Sequence, residues 1–224
     1  VNFTIKKGAL IGIVGESGSG KSTIIDLLLK FYKVDEGDIN IDNDNIKSID
    51  KKCWRNSVGY VGQNTQILSG NIYSNISLNF LSEVSVDKKL LEAIRIADIE
   101  KFIMSLPNKF NTEINENGDN ISAGQKQRIA ISRAIYLRPE IILFDEATSN
   151  LNPSSEKKIF YQLKKFCKIN DITLVHVTHR IDLLEELDEI IFIEEGRVIA
   201  QDSHLDLLTK SSKYSDFIKK GKLK

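Results

Sequence analysis

Cysteine is scarce in this 224-residue chain: Cys53 and Cys167 are the only two, and they stand far apart. One possible pair builds no disulfide framework, and no thiolate metal spacing is present, so the chain reads as belonging to a reducing, cytosolic compartment. Histidine is rare as well, with three residues, too few for a histidine-rich metal site. Net charge is missing altogether, because 31 Lys and Arg balance 31 Asp and Glu. That balance removes the general electrostatic case for binding an anionic membrane surface or nucleic acid, and no nucleic-acid partner is expected. No apolar run approaches the ~18 residues a bilayer span requires. The opening stretch Val1–Leu10 lacks the basic head and apolar centre of a secretory signal. Hydrophobic residues at 41% and 13 glycines exclude both disorder and a collagen-like fibre. What is left is a globular chain of a length that suits one large domain, or a core with a lobe.

Apolar periodicity sets out the elements. Val1, Phe3 and Ile5 alternate with polar residues, Lys6-Lys7-Gly8 reads as a turn, and Ala9–Val14 is a buried apolar run, which together predict a hairpin. Ser22–Phe31 reads as a helix, and Val58–Val61 as a short strand. Helical segments follow at Val86–Ala97 and Glu100–Leu106, the second closed by Pro107. A helix from Ser122 to Arg138 carries Ile131, Ala134 and Ile135 on one side. Ile141–Phe144 and Thr173–Val177 read as buried strands, separated by a helix over Ser155–Lys168. Ile190–Ile193 and Val198–Gln201 form a terminal hairpin, and the lysine-rich tail after Lys210 is expected to fray at its tip. The alternation of strands and helices predicts an α/β fold with a mostly parallel sheet. The helical block near Asn71–Ala130 reads as an inserted subdomain, giving a core of residues 1–70 and 131–224 around a helical piece at 71–130.

Three apolar strands each stop at residues with chemistry. In an open parallel sheet the carboxyl ends of the strands share one crevice, so sequence-distant residues meet there. The first strand runs into Gly15-Glu16-Ser17-Gly18-Ser19-Gly20-Lys21-Ser22, the G-x-x-x-x-G-K-[ST] pattern of a P-loop, set between a strand and a helix. Its glycines let the backbone curl so that N–H groups face phosphate oxygens, and the helix adds its positive end. Lys21 is expected at the β- and γ-phosphates of a nucleotide such as ATP, Ser22 on Mg²⁺, and Thr23 continues the phosphate-binding segment. The second strand runs into Asp145-Glu146. A cation such as Mg²⁺, shared with Ser22, would compensate Asp145, and Glu146 one step on could act as general base towards water. The alternative is a pair of solvated carboxylates capping the next helix. The third strand runs through Thr178 into His179. Taken singly, His179 reads as a hydrogen-bonded structural residue; at a third strand end it reads as a γ-phosphate contact. His176, inside the strand, reads as packed, and His204 as a residue at a helix start near the surface. Cys53 and Trp54 read as packed at a lobe surface, with no chemistry assigned.

The stretch Ile121-Ser122-Ala123-Gly124-Gln125 lies at a helix start upstream of Asp145, and it resembles the signature sequence of ATP-binding cassette (ABC) ATPases. With it, Gln63 in Val58–Gln63 resembles the family's glutamine-loop residue, Ser149-Asn150-Leu151-Asn152 its dimer loop, and His179 its switch histidine. The resemblance covers nearly the whole chain, with six motifs in order. It implies a nucleotide-binding domain that hydrolyses ATP with Mg²⁺: Glu146 and His179 at the γ-phosphate, and Gln63 serving both catalysis and Mg²⁺ alongside Ser22 and Asp145. Ser122, Ala123, Gly124 and Gln125 would bind the nucleotide held by a second such domain, in a head-to-tail homo- or heterodimer. The pair would drive transmembrane domains from the cytoplasmic face of the membrane.

Thr112–Gly118 and Asn64–Ile76, with its Ser69-Gly70-Asn71-Ile72 core, resemble loops of ABC exporters, as does Asp145–Ser149, which points to export of a peptide, lipid or hydrophobic compound. An importer or non-transport ABC ATPase is the second reading, and a nucleotide-binding regulator with little turnover the third. Departures from the family pattern are Ile121 and Ala123 in the signature, Asn152 for the dimer-loop aspartate, and Asn115 and Asn117 in the exporter loop. The family's adenine-stacking aromatic lies on a strand upstream of the P-loop. This chain begins 14 residues before Gly15, so it reads as amino-terminally truncated, with Phe3 on the wrong strand to substitute. Lost stacking on the order of 1 kcal/mol predicts weaker ATP binding than in a chain extended by about 25 residues.

Overall fold

The computed structural model describes residues 1–148 and 150–222. In chain order the elements are β1 Leu10–Val14, α1 Lys21–Leu28, β2 Asn40–Ile41, β3 Asp44–Asn45, α2 Lys51–Asn56, β4 Val58–Val61, β5 Gly70–Asn71 and α3 Ile72–Ser77. They continue with α4 Lys88–Ile96, α5 Glu100–Ser105, β6 Glu113–Ile114, α6 Ala123–Tyr136, β7 Ile141–Asp145, α7 Pro153–Asn170 and β8 Thr173–Val177. The chain closes with β9 Glu189–Glu194, β10 Arg197–Asp202, α8 His204–Lys210 and α9 Ser212–Lys222. Among the described residues, no helix is long and apolar enough to cross a membrane.

The main sheet has six strands in the order β10-β9-β1-β8-β7-β4, and only β10 runs antiparallel to its neighbour. β1 and β8 are buried along their full length, as strands covered on both faces must be. Period-two alternation divides their side chains between two apolar layers. Leu10, Val14, Phe144 and Leu174 face one layer, which also takes in α4, α6 and α7. Ile11, Ile13, Leu143 and Val175 face the other, covered by α1 and by Trp54 of α2. The sheet therefore fills its interior from both sides and leaves its strand ends as the place for polar chemistry.

The helical block follows local rules. Asp87 caps α4 by accepting from the Leu90 N–H at 2.7 Å, and Leu90, Ala93, Ile94 and Ala97 then recur on one buried face. α6 is buried on more than the expected single side, since Gln127, Ile129, Ala130 and Ser132 are inside along with Ile131, Ala134 and Ile135. Its contacts with β4 on one flank and with α3 and α4 on another account for this.

Three expectations need correction. Val1–Ile5 forms no hairpin strand with β1, because β1 already pairs with β8 on one edge and β9 on the other. The segment instead packs Phe3 and Ile5 on the second apolar layer and is held by the Gln201 side chain, whose Nε2 donates to the Thr4 carbonyl at 2.6 Å. Trp54 is not a surface residue: it is buried, and its Nε1 donates to the Leu28 carbonyl at 2.5 Å, while Cys53 is exposed. His204 does begin a helix, but it is buried, because α9 folds over it and places the Tyr214 hydroxyl 2.6 Å from its Nδ1. The tail after Lys210 is helical, anchored by buried Tyr214 and Ile218, while its tip, Leu223 and Lys224, lies outside the described residues.

Candidate active site

Parallel pairing brings the ends of four strands level. Ile13 pairs with Val177, Asp145 with Val177, and Val61 with Phe144, so Gly15, Glu146, Thr178 and Gly62 begin at one edge of the sheet. The P-loop turns away from β1 at Gly15. A Cβ at Gly15 would lie 2.1 Å from the Ile193 carbonyl oxygen, so the close approach of β9 requires glycine there. Gly18 and Gly20 take positive φ angles of 78° and 100° that other residues rarely adopt. The loop is fastened by Ser19 N–H to the Glu16 carbonyl (3.2 Å) and by Gly196 N–H to the Ser19 carbonyl (3.1 Å).

Lys21 curls back over this loop and donates Nζ–H to the carbonyls of Gly15 (3.0 Å) and Glu16 (2.9 Å). Burial pulls its pKa below the usual lysine range, against the opposing fields of Glu146 and Asp145. Beside it the buried Ser19 hydroxyl has no hydrogen-bond partner among the described residues, an orphan donor inside the loop. Glu16, Ser17 and Gly18 form the exposed crest, and Ser22 and Thr23 are exposed at the start of α1. Ser22 donates Oγ–H to Asp145 Oδ1 at 3.4 Å, and burial pushes the Asp145 carboxyl above its ordinary pKa. Two carboxylates beside one lysine repel a triphosphate by themselves; a divalent cation arriving with it reverses that repulsion. Among the described residues no group of three His, Cys, Asp or Glu is placed to hold a metal. A carboxylate and a hydroxyl at a phosphate cradle do fit Mg²⁺, which keeps few protein ligands and completes its shell with phosphates and water.

Glu146 stands at φ 51°, a left-handed conformation uncommon outside glycine, pinned by its N–H donating to the Val177 carbonyl at 3.2 Å. The twist directs its carboxylate to His179, whose Nε2 lies 2.7 Å from Glu146 Oε1. Both side chains are partly exposed, so the pair faces the crevice. His176, three residues earlier on β8, is the contrast: it is buried between Phe160, stacked at 5.6 Å, and the edge of Phe144. Burial holds its pKa down at about 4, so it packs as a neutral ring.

Gln63 is exposed two residues beyond β4, at the same edge, and no hydrogen bond joins it to Asp145 or Ser22 among the described residues. Ser122 caps α6 in a reciprocal pair: its Oγ accepts from the Gln125 N–H (3.3 Å), and its own N–H donates to Gln125 Oε1 (2.8 Å). Ala123 and Gly124 follow in the first turn, with Gly124 against the Asn150 carbonyl and Leu151. Ser122–Gln125 make no hydrogen bond to the P-loop, Asp145, Glu146 or His179 among the described residues. Of the dimer-loop segment, Ser149 lies outside the described residues. Asn150 donates its N–H to the buried Gln127 Oε1 (3.2 Å), and Asn152 caps α7 by accepting from the Ser155 N–H (2.8 Å). Two of the three segments that resemble exporter loops meet, since β5 pairs with β6 through Gly70–Ile114 and Asn71–Glu113.

Sequence reasoning passed over Gln127, Thr148, Glu156 and Arg180, which tie these loops together from inside. Their partners lie 8 to 24 positions away, and no local spacing announces them.

Known proteins similar to this chain belong to one family. Residues 1–149 match the family described as ABC transporter. A putative export ATP-binding/permease protein of Rickettsia typhi is 42% identical over 214 residues, which are 96% of this chain and 36% of that protein. The ATP-dependent lipid A-core flippase of Coxiella burnetii is 40% identical over 217 residues, again 96% and 36%. ABC transporter B family member 13 of Arabidopsis thaliana is 38% identical over 218 residues, 97% and 17%. The solved structure of a bacterial Atm1-family ABC exporter with ATP bound superposes with a TM-score of 0.89 at 34% identity, covering 97% of this chain and 37% of that one. The chain thus spans about a third or less of the length of these relatives.

Proposed function

The chain belongs to the ABC transporter family as an ATPase domain related to those of exporters, and on that premise we propose that it hydrolyses ATP to power export of a peptide, lipid or hydrophobic compound. The observation that carries the reading is the 2.7 Å contact between Glu146 and His179, set on adjacent strand ends beside the Ser22–Asp145 pair and the P-loop. With Oε1 engaged by His179 Nε2, Glu146 keeps Oε2 to accept a proton from water attacking the γ-phosphate, and His179 fixes the carboxylate's orientation. Gly15–Thr23 bind the phosphates, Lys21 exchanging the carbonyls of Gly15 and Glu16 for phosphate oxygens. Ser22, Asp145 and Gln63 would hold Mg²⁺, which supplies charge neutralisation at the phosphates.

The capped start of α6 fits the head-to-tail arrangement, in which Ser122–Gln125 complete the nucleotide site of a second, identical or different, nucleotide-binding domain. In this reading residues 71–130 form a helical signature subdomain on a core of 1–70 and 131–224, with α6 running unbroken between the two. The paired strands β5 and β6 join the two exporter-like loops on one surface, where transmembrane domains would dock from the membrane side of a cytoplasmic assembly. The lipid A-core flippase and the Atm1-family exporter among the relatives support an export role.

Glu146→Gln tests the assignment. The variant should bind ATP as wild type does and lose at least ~100-fold in turnover, the usual contribution of a general base, so that ATP-bound dimers accumulate. Turnover within a few fold of wild type removes Glu146 from the chemistry. A wild type with no Mg²⁺-dependent ATPase at high protein concentration overturns the reading itself.

A further inference from the structure

Glu146 and His179 are joined a second time, from behind. Thr148, two residues after Glu146, donates Oγ1–H to Oε1 of Glu156 at 2.6 Å. Arg180, the residue after His179, donates Nη1–H to Oε2 of the same carboxylate at 2.5 Å. With the Glu146–His179 contact these bonds close a ring that runs Glu146, Thr148, Glu156, Arg180, His179 and back. Glu156 is only 7% exposed and Thr148 5%. A carboxylate buried to that degree is costly unless its oxygens are engaged, and here each has its own donor.

The ring has a rigid side and a pliable side. Glu156 sits in the first turn of α7, whose start is fixed by the Asn152 cap and by the Glu156 N–H donating to the Asn152 carbonyl at 3.0 Å. Arg180 is held in turn: Nε and Nη2 donate to Asp182 at 2.9 Å each, and its N–H donates to Thr178 Oγ1 at 3.0 Å. Glu146 and His179, by contrast, lie on loops past the last ladder pairs of β7 and β8, with partly exposed side chains. A brace from a helix to both loops sets their separation more firmly than the sheet can, and reaction geometry is sensitive to displacements on the order of 1 Å.

We propose that Glu156 is a positioning residue for hydrolysis: acting through Thr148 and Arg180, it holds the Glu146 carboxylate and the His179 imidazole at hydrogen-bonding distance. This rests on the ATPase reading given above. The test is a double-mutant cycle on ATPase kinetics in the natural polypeptide that carries this chain, with Glu156→Gln, His179→Ala and the two together. Glu156→Gln keeps the shape of the side chain and an acceptor for Thr148 while removing the charge facing Arg180. It should lower kcat by roughly ten- to a hundredfold with KM for ATP within about twofold. Added to His179→Ala, it should cost less than about a further twofold, because the contact it maintains is already gone. A merely structural role would not produce that non-additivity. Thr148→Val, which removes only one donor, runs through the same cycle if Glu156→Gln lowers the melting temperature. An active wild type whose two substitutions multiply independently, or a Glu156→Gln variant changed in KM alone, overturns the brace and leaves the ATPase reading standing. A wild type without Mg²⁺-dependent turnover overturns both.

Discussion

Helix α1 starts at Lys21 behind a glycine, and helix α6 starts at Ala123 behind a serine. Every helix start presents N–H groups with no intrahelical acceptor and a partial positive charge. At α1 no side chain among the described residues answers them: the N-cap is Gly20 at φ 100°, and no side-chain cap bond forms. At α6 both halves of a capping box are in place, Ser122 to Gln125 and Gln125 back to Ser122. The open start lies between the Ser22–Asp145 pair and the folded-back Lys21, with the orphaned Ser19 hydroxyl beside it. The closed start makes no hydrogen bond to that site among the described residues. In the reading proposed above, the difference separates an anion site that needs its ligand to satisfy it from one that is stable without any. In the proposed head-to-tail dimer the second can therefore stand exposed until a nucleotide held elsewhere reaches it.

The largest effect should come from the open start. Lys21→Ala removes a cation that can replace its carbonyl contacts with phosphate contacts, and charged hydrogen bonds are worth ~1.5–3 kcal/mol each. ATP affinity measured by calorimetric titration should fall by about 30-fold or more, whereas Ser122→Ala should leave the affinity of the separate chain unchanged. Equal losses in the two variants would erase the distinction between the helix starts. Gly20→Ala is the next step down. A Cβ there meets no atom closer than Gly196 Cα at 3.8 Å, so the cost is conformational, from holding φ near 100°. About 1–2 kcal/mol is expected for an L-residue forced into left-handed space, read as a drop of roughly 2–8 °C in melting temperature for a chain of this size. An unchanged melting temperature would show that the loop relaxes, and that glycine is not what keeps this start open.

Much of the open site was legible before any coordinates, because its constraints are local. A glycine-rich turn between a continuous apolar run and a helix is a pattern within one stretch of chain, and Asp145-Glu146 and His179 each end a similar run. What escaped is what packing decides. The Val1–Ile5 alternation has strand character, but strand order leaves β1 with no edge to offer it. His204 has the polar neighbourhood of a surface helix start, and only the return of α9 buries it. The pairing of β5 with β6 rests on two residues a side, too short for a periodic signal, although each segment by itself resembles an exporter loop. The Thr148–Glu156–Arg180 brace joins three segments whose proximity follows from α7 lying against β8. An acidic residue in a helix's first turn reads as ordinary dipole complementarity, which conceals its second task.

Ser122 allows the smallest and most discriminating change, because its two duties respond differently to the same substitution. As an N-cap it stabilises α6 by about 1 kcal/mol, so Ser122→Ala should lower the melting temperature by roughly 2–4 °C. Aspartate is as good a cap as serine, and its negative charge complements the helix start, so Ser122→Asp should restore the melting temperature to within about 1 °C of wild type. The proposed second duty, meeting the phosphates bound by a partner domain, makes the opposite demand. There a carboxylate repels, so Ser122→Asp should be at least as deficient in ATPase turnover as Ser122→Ala despite being the more stable protein. Thermal melts paired with turnover measurements separate the two. If activity follows stability across serine, alanine and aspartate, then the closed helix start is a cap alone, and the pairing of an open with a closed anion site has no functional content.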